Sequence, residues 1–130
     1  DCTLQPIDRS LYHKVLALDW ARDWCANFES ADHFLQNGLG VVLLRRDEIL
    51  AGAASYTAYK GGIEVQIDTR KDAQRRGYAK ACGAALLLKC LERGLYPSWD
   101  AHTPASLALA ETLGYRLARV YTSYMLVSHL

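Results

Sequence analysis

The chain has 130 residues, of which 51% are hydrophobic and 22% charged, and its formal net charge is +1. This composition is typical of one globular domain with its own core, and the scattered Lys and Arg residues argue against a nucleic-acid partner. Because the sequence has neither a run of about eighteen apolar residues nor a signal-like start, we expect a cytoplasmic protein with no membrane partner.

The first third of the chain predicts a short strand followed by two helices. The strand covers residues 3–7, and Ser10 precedes apolar residues that recur at helical spacing, namely Leu11, Val15, Leu18, Trp20 and Trp24. Ser30 is expected to cap a second, short helix that ends at Gly38. The chain begins with Asp rather than Met, which leaves open that this single domain over residues 1–130 is a piece of a longer protein.

Three strands are expected next. Residues 40–45 and 49–59 are rich in β-forming residues and are separated by a polar turn, which predicts a hairpin. In the following strand, at 63–69, apolar residues alternate with polar ones. Since side chains of a strand alternate between its two faces, Glu64 and Asp68 should lie on the same face.

The second half of the chain predicts helix, strand, helix and two strands. A helix from near Ala79 to Gly94 leads to a strand at 96–100. A strand, helix and strand of this length form a right-handed crossover, so the strands at 63–69 and 96–100 should be parallel. The remaining helix and two strands are expected at residues 105–113, with Pro104 in the first turn, 116–121 and 123–128.

Four cysteines are spread along the chain without a C-x-x-C pair: Cys2, Cys25, Cys82 and Cys90. A zinc site needs ligands clustered at short spacings, and a disulfide framework suits a smaller secreted chain. We therefore expect four buried free thiols and no metal.

A basic turn lies between the strand at 63–69 and the helix that follows it. Its sequence is Gln74-Arg75-Arg76-Gly77-Tyr78-Ala79. The first N–H groups of a helix have no intrahelical partner and carry partial positive charge, so an anion fits there. The turn has neither the three glycines of a dinucleotide fingerprint nor the Gly-Lys-Ser/Thr of a P-loop. It is therefore either a different kind of phosphate site or a solvated turn.

The pattern Gln/Arg-x-x-Gly-x-Gly/Ala in this turn resembles the acyl-CoA pyrophosphate loop of the GNAT N-acetyltransferase superfamily. Residues 103–115, ending in Leu-Gly-Tyr, resemble the second motif of that family, and residues 94–101, Gly-Leu-Tyr-Pro-x-Trp-Asp-Ala, are similar to one of its subgroups. The predicted element order also resembles the GNAT fold. The resemblance implies an α/β (α+β) fold with a mixed central sheet of about six to seven strands and helices on both faces.

The resemblance also implies a cofactor, acetyl-CoA, bound as acyl donor in an opening between the two parallel strands. The backbone at the end of the first strand would bond the pantetheine arm, the basic turn would hold the pyrophosphate, and the start of the last helix would contact the arm. The binding residues that it implies are Ile67, Asp68, Thr69, Gln74, Arg75, Arg76, Gly77, Tyr78, Ala79, Thr103 and Ser106. Ile67 is equally a core residue, and Thr103 and Ser106 are equally plain helix-start residues.

The reaction implied by the resemblance is direct attack by an amine on acetyl-CoA in a ternary complex, which requires a base. Glu64 is the first candidate, close to where some relatives hold a catalytic Glu, although it could be a solvent-facing or salt-bridged strand carboxylate. Asp100, at the carboxyl end of the next parallel strand, is the second candidate. His102 is the third, against the alternative of an exposed loop histidine.

Ala110 occupies the position at which many relatives have a tyrosine that protonates the leaving thiolate. Alanine cannot donate a proton, which leaves Tyr115, Tyr121, Tyr124 or water as the acid. It also leaves open a second reading, a non-catalytic acyl-CoA-binding sensor or interaction module.

The acceptor is expected to be a small-molecule or peptide amine, and a homodimer is left open. Aromatic residues of the first half could line its pocket or could lie in the core: Trp20, Trp24, Phe28 and Tyr59.

Overall fold

The computed structural model describes residues 2–100, 104–117 and 123–126. The helices are α1 (Arg9–Leu16), α2 (Ala31–Asn37), α3 (Tyr78–Arg93) and α4 (Pro104–Thr112). The strands are β1 (Thr3–Pro6), β2 (Gly40–Arg45), β3 (Glu48–Tyr59), β4 (Gly62–Thr69), β5 (Tyr96–Asp100), β6 (Tyr115–Leu117) and β7 (Ser123–Leu126). Short 3-10 turns lie at Arg22–Trp24 and Lys71–Ala73. Within the described ranges, no helix combines the length and the apolar character needed to cross a bilayer.

The strands form a seven-stranded mixed sheet in the order β1-β2-β3-β4-β5-β7-β6. β4 and β5 run parallel, and the other neighbouring strands run antiparallel. α3 connects the two parallel strands. The predicted parallel pairing of these two strands is therefore confirmed, and the fold class with it.

Each face of the sheet has its own core. On β2, Val41 and Leu43 belong to the core that α3 covers, whereas Val42 and Leu44 belong to the core that α1 and α2 cover. This alternation is the period-two pattern of a strand buried on both faces. Helices therefore pack on both sides, as expected of this fold.

Three of the four cysteines are buried free thiols, as predicted, and burial raises the pKa of the Cys82 thiol to about 12. The prediction was wrong for Cys2, which is exposed. It precedes β1, an edge strand whose four residues are all exposed, so no core lies beside it.

The first helix begins and ends earlier than its apolar pattern suggests. The Asp8 side chain accepts the Leu11 N–H, so Asp8 caps the helix and Ser10 lies inside it. The helix ends at Leu16, and Trp24 lies in a separate 3-10 turn. The helical spacing of Trp20 and Trp24 therefore predicted a longer helix than the structure has.

Tertiary packing decides where Trp24 lies. Its ring is fully buried over Gly52 of β3, where an added Cβ atom would come within 2.4 Å of ring carbons. Its indole Nε1 donates a hydrogen bond of 2.9 Å to Oδ2 of Asp68, the cross-strand partner of Gly52. Trp20 packs edge-on against the same ring. Trp24 therefore lies in the core on the α1 and α2 side of the sheet, and the partly buried Trp20 packs against that core.

We expect Gly52→Ala to lower the free energy of unfolding by about 1–3 kcal/mol, because the new methyl group overpacks the core against the Trp24 ring. Urea unfolding would measure the loss. The matched control is the same substitution in a Trp24→Leu background, where the smaller side chain leaves room for the methyl group. An equal loss in both backgrounds would contradict a clash with the indole.

Candidate functional site

The parallel strands β4 and β5 separate part-way along their length. They pair over residues 62–64 and 96–98, the last pair being Glu64 and Ser98. Beyond this row, Trp99 and Asp100 of β5 pair with β7, whereas β4 stays against β3. The sheet therefore has an opening on the β5 side of β4 that begins at Glu64.

A β-bulge lies at the same row on the other side of β4. Ser55 pairs with Val65 and Thr57 with Glu64, so Tyr56 is an extra residue in β3. A bulge bends its strand and increases the local twist. Asn27 donates a hydrogen bond of 3.1 Å from Nδ2 to the carbonyl oxygen of Tyr56. The sheet is thus irregular on both sides of Glu64.

A cleft of about 520 Å³ lies at the C-terminal end of β4. Eight of the predicted cofactor residues line it, namely Ile67, Asp68, Thr69, Gln74, Arg75, Gly77, Tyr78 and Ala79. Three further lining residues were missed from the sequence: Ala73, Lys80 and Leu109. Lys80 could have been found, because it lies in the first turn of the helix that Gly77 begins.

Three predicted cofactor residues are not among the described residues that line this cleft. Arg76 is exposed in the same turn. Thr103 and the side chain of Ser106 lie outside the described part of the chain.

The turn before α3 has the left-handed backbone conformation that Gly77 suggested. Gly77 is the N-cap residue with φ 77°, and Arg75 also has positive φ, at 66°. The Gly77 side chain position is open, since an added Cβ would meet nothing within 4 Å. No side chain of the described residues caps α3, so its first N–H groups are left without a side-chain capping partner, and Arg75 and Lys80 line the adjacent cleft. The arrangement suits an anion.

Arg70 fixes the segment that leads into this turn. Its guanidinium bonds both carboxylate oxygens of Asp72, at 2.6 and 3.2 Å, and Oε2 of Glu48 at 2.7 Å. Hydrogen bonding to Arg70 lowers the pKa of both carboxyl groups. Arg70 thus ties the 71–73 turn to the start of β3.

Glu64 and Asp68 lie on the face of β4 opposite α3, as the alternation predicted. Glu64 is half-buried at the row where the strands separate. Asp68 Oδ2 accepts hydrogen bonds from Trp24 Nε1 at 2.9 Å and from Gln66 Nε2 at 3.0 Å. Burial raises the pKa of Asp68, and the two hydrogen bonds partly oppose that shift.

We expect Asp68→Asn to stabilise the protein at neutral pH. A raised folded-state pKa means that folding favours the protonated acid, so the stability contribution of Asp68 is lost as pH rises through that pKa. An Asn carbonyl can still accept both hydrogen bonds and carries no charge. The advantage of the variant should disappear below about pH 4, the ordinary range of an aspartate. Thermal unfolding from acid to neutral pH would measure it.

Glu48→Gln is the control for this pH dependence, because the pKa of the Glu48 carboxyl group is lowered rather than raised. The loss of stability in this variant should be present at neutral pH and vanish in acid. An Asp68→Asn effect independent of pH would contradict the assignment.

The other candidates for acid–base chemistry are less completely described. The backbone of Asp100 lies in β5, and its side chain is outside the described part, as are His102, Tyr121 and the side chains of Tyr115 and Tyr124. Ala110 lies on α4 and is fully buried in the core on the α3 side of the sheet. Among the residues that can be described, no three His, Cys, Asp or Glu side chains are grouped to hold a metal ion.

A second pocket, of about 500 Å³, lies on the α2 side of the sheet at the end of β3. Phe28 and Tyr59, two of the four aromatic residues considered for an acceptor pocket, line it. The Tyr59 ring lies beside the position where Gly62 would carry a Cβ atom. The Tyr59 hydroxyl oxygen lies 2.6 Å from Oγ of Ser98, the β5 partner of Glu64. The pocket and the start of the strand opening are therefore neighbours.

Comparison with known proteins decides the family of this fold and cleft. The model of the GNAT acetyltransferase family matches residues 1–124. The chain belongs to that family. The narrower subgroup suggested by residues 94–101 stays a prediction.

Two relatives are longer than this chain. The crystal structure of a GCN5-related N-acetyltransferase-like protein from Streptococcus suis 89/1591 superposes with a TM-score of 0.90 at 49% identity, covering 95% of this chain and 50% of that one. The uncharacterised N-acetyltransferase YdfB of Bacillus subtilis (strain 168) is 27% identical over 99 residues, which are 75% of this chain and 38% of the relative. The chain thus spans half or less of the length of these proteins.

A more distant structure shares the fold. A GNAT family acetyltransferase from Elizabethkingia anophelis, solved with acetyl-CoA bound, superposes with a TM-score of 0.64 at 17% identity. The match covers 91% of this chain and 78% of that protein.

Proposed function

We propose that residues 1–130 form an acyl-CoA-binding domain that acts as an acetyl-CoA-dependent N-acetyltransferase on a primary amine. The observation that carries the proposal is the separation of β4 from β5 at Glu64, with a cleft at the end of β4 that reaches the Gly77 turn. Acetyl-CoA bound to the distantly similar Elizabethkingia anophelis protein supports the choice of ligand.

The chemistry of the cleft fits acetyl-CoA. Beyond Glu64, one edge of β4 has no β5 partner, so its N–H and C=O groups can bond an extended arm as an added strand would. The Gly77 turn and the first N–H groups of α3 would hold the pyrophosphate, with charge from Arg75 and Lys80. Thr103 and Ser106 remain proposed contacts to the arm.

Acetyl-CoA would supply an acetyl group activated as a thioester. The amine nitrogen would attack the carbonyl carbon, forming the C–N bond, and the C–S bond would break to release CoA as its thiol. Glu64 would take the proton that the acceptor ammonium must lose before attack. Its position at the start of the opening supports this role, and Asp100 is the second candidate.

The second candidate function is an acyl-CoA sensor without efficient transfer. The alanine at position 110 favours it, because alanine provides no proton donor where many relatives have tyrosine. In the enzyme reading, the thiolate would gain its proton from water or from one of three tyrosines, Tyr115, Tyr121 or Tyr124.

Two measurements separate these functions. Calorimetry would measure acetyl-CoA binding, and thiol release would follow turnover with a panel of primary amines. Amine-dependent thiol release would support the transferase, whereas binding without release for any amine would support the sensor. Failure to bind acetyl-CoA would contradict both.

A further inference from the structure

The pocket on the α2 side has two walls of different origin. One wall comes from the segment before α2 and from α2 itself, with Phe28 and His33. The other comes from the end of β3 and the turn after it, with Thr57, Tyr59 and Lys60. The pocket therefore lies between a helix and the sheet rather than inside either core.

This pocket is connected to the Glu64 row through the sheet. Thr57 is the cross-strand partner of Glu64, and directly opposed residues have Cβ atoms about 5 Å apart on one face. Ser98, the parallel partner of Glu64, bonds Tyr59. Lys60 lies in the turn that follows β3, and it lines the pocket together with Thr57 and Tyr59. The pocket therefore extends from the cross-strand partner of Glu64 to Lys60.

Two of the polar side chains that line the pocket, Lys60 and His33, can donate hydrogen bonds to a ligand. Lys60 is an exposed ammonium in the turn, with no acceptor capacity. The N–H of Glu29 donates to Nδ1 of His33 at 3.1 Å, so the neutral imidazole carries its own proton on Nε2. The described side chains that line the pocket include no carboxylate. An anionic group fits beside these two donors, where a second ammonium would meet the positive charge of Lys60.

Resting on the transferase activity proposed above, we propose that the acceptor is an amine joined to a carboxylate. The amine would be directed toward Glu64, and the carboxylate would be held by Lys60 and His33 across the mouth of the pocket. Diamines would be disfavoured, because their second ammonium would face that of Lys60.

The test compares γ-aminobutyrate, its uncharged amide and putrescine, which share a chain length and differ at the far end. We expect the wild-type protein to acetylate γ-aminobutyrate with the highest kcat/KM and putrescine with the lowest. Lys60→Glu should lower the preference for γ-aminobutyrate over putrescine by about tenfold or more at low salt, mainly through KM. Lys14→Glu, the same charge change at an exposed position of α1, should leave that preference unchanged.

Binding provides a second readout that does not need turnover. Ligand-observed NMR on the CoA-loaded protein should detect γ-aminobutyrate with wild type and with Lys14→Glu, and should lose it with Lys60→Glu. A wild-type preference for putrescine, or equal preference in Lys60→Glu and wild type, would overturn the proposal. Faster thiol release with putrescine than with γ-aminobutyrate would contradict the proposed acceptor class but not the transferase activity. The absence of thiol release with every amine would contradict the transferase activity, and the order of ligand binding measured by NMR would still test the acceptor class.

Discussion

Glu64→Gln is expected to lower kcat by about a hundredfold or more while leaving the affinity for acetyl-CoA unchanged. Glutamine has the same shape and keeps the polar face of β4, but it cannot accept a proton from the acceptor ammonium. Positioned general bases contribute about 10²–10⁴ in rate, which sets the expected size of the loss. Steady-state thiol release would measure kcat, and calorimetry would measure the affinity.

The pH profile distinguishes loss of a base from general damage. As pH approaches about 10, near the pKa of a primary amine, the acceptor loses its proton without help. The gap between Glu64→Gln and wild type should therefore narrow at high pH. Asp100→Asn is the rival variant. If it abolished turnover while Glu64→Gln did not, Asp100 rather than Glu64 would be the base.

Gly77→Val is expected to raise the Kd for acetyl-CoA by about tenfold or more. The residue has φ 77°, which a β-branched side chain adopts only under strain. The new side chain would also project into the open space before α3, where the pyrophosphate is proposed to lie. Calorimetric titration with acetyl-CoA would measure the effect.

Gly94→Val provides a control on the same helix. Gly94 is the C-cap residue of α3 with φ 67°, and an added Cβ would also meet nothing within 4 Å. Both variants should lose stability by about 1–2 kcal/mol from left-handed strain. Only Gly77→Val should weaken acetyl-CoA binding. Equal weakening by both would indicate a folding effect, and no weakening by either would contradict the pyrophosphate assignment.

Much of the fold could be predicted because local signals agreed with the tertiary structure. Ser30 caps α2 through the N–H of His33, as its residue type suggested. The alternation in β4 and the helical spacing in α3 each identified a buried face. The crossover rule then fixed the parallel pair, since the length of the connection leaves little freedom. The cleft followed from that pair and from the turn that begins α3.

Other features depend on contacts between distant parts of the chain. Trp24 lies where it does because of Gly52 and of Asp68, which is 44 residues away, and helical spacing carries no information about either. The bulge at Tyr56 is a property of pairing between β3 and β4. Leu109 reaches the cleft through the packing of α4. None of these contacts leaves a short-range pattern in the sequence.

The bond between Tyr59 and Ser98 has a mechanical consequence. It joins the end of β3 to β5 across Gly62, at the last row where β4 and β5 pair. β4 and β5 pair over only three rows. The hydrogen bond between Tyr59 and Ser98 adds a side-chain connection from β3 to β5, so that separating β5 from β4 at this point would also break a contact with β3. The bridge therefore helps to keep the joined ends of β4 and β5 in register at the point where the two strands begin to separate.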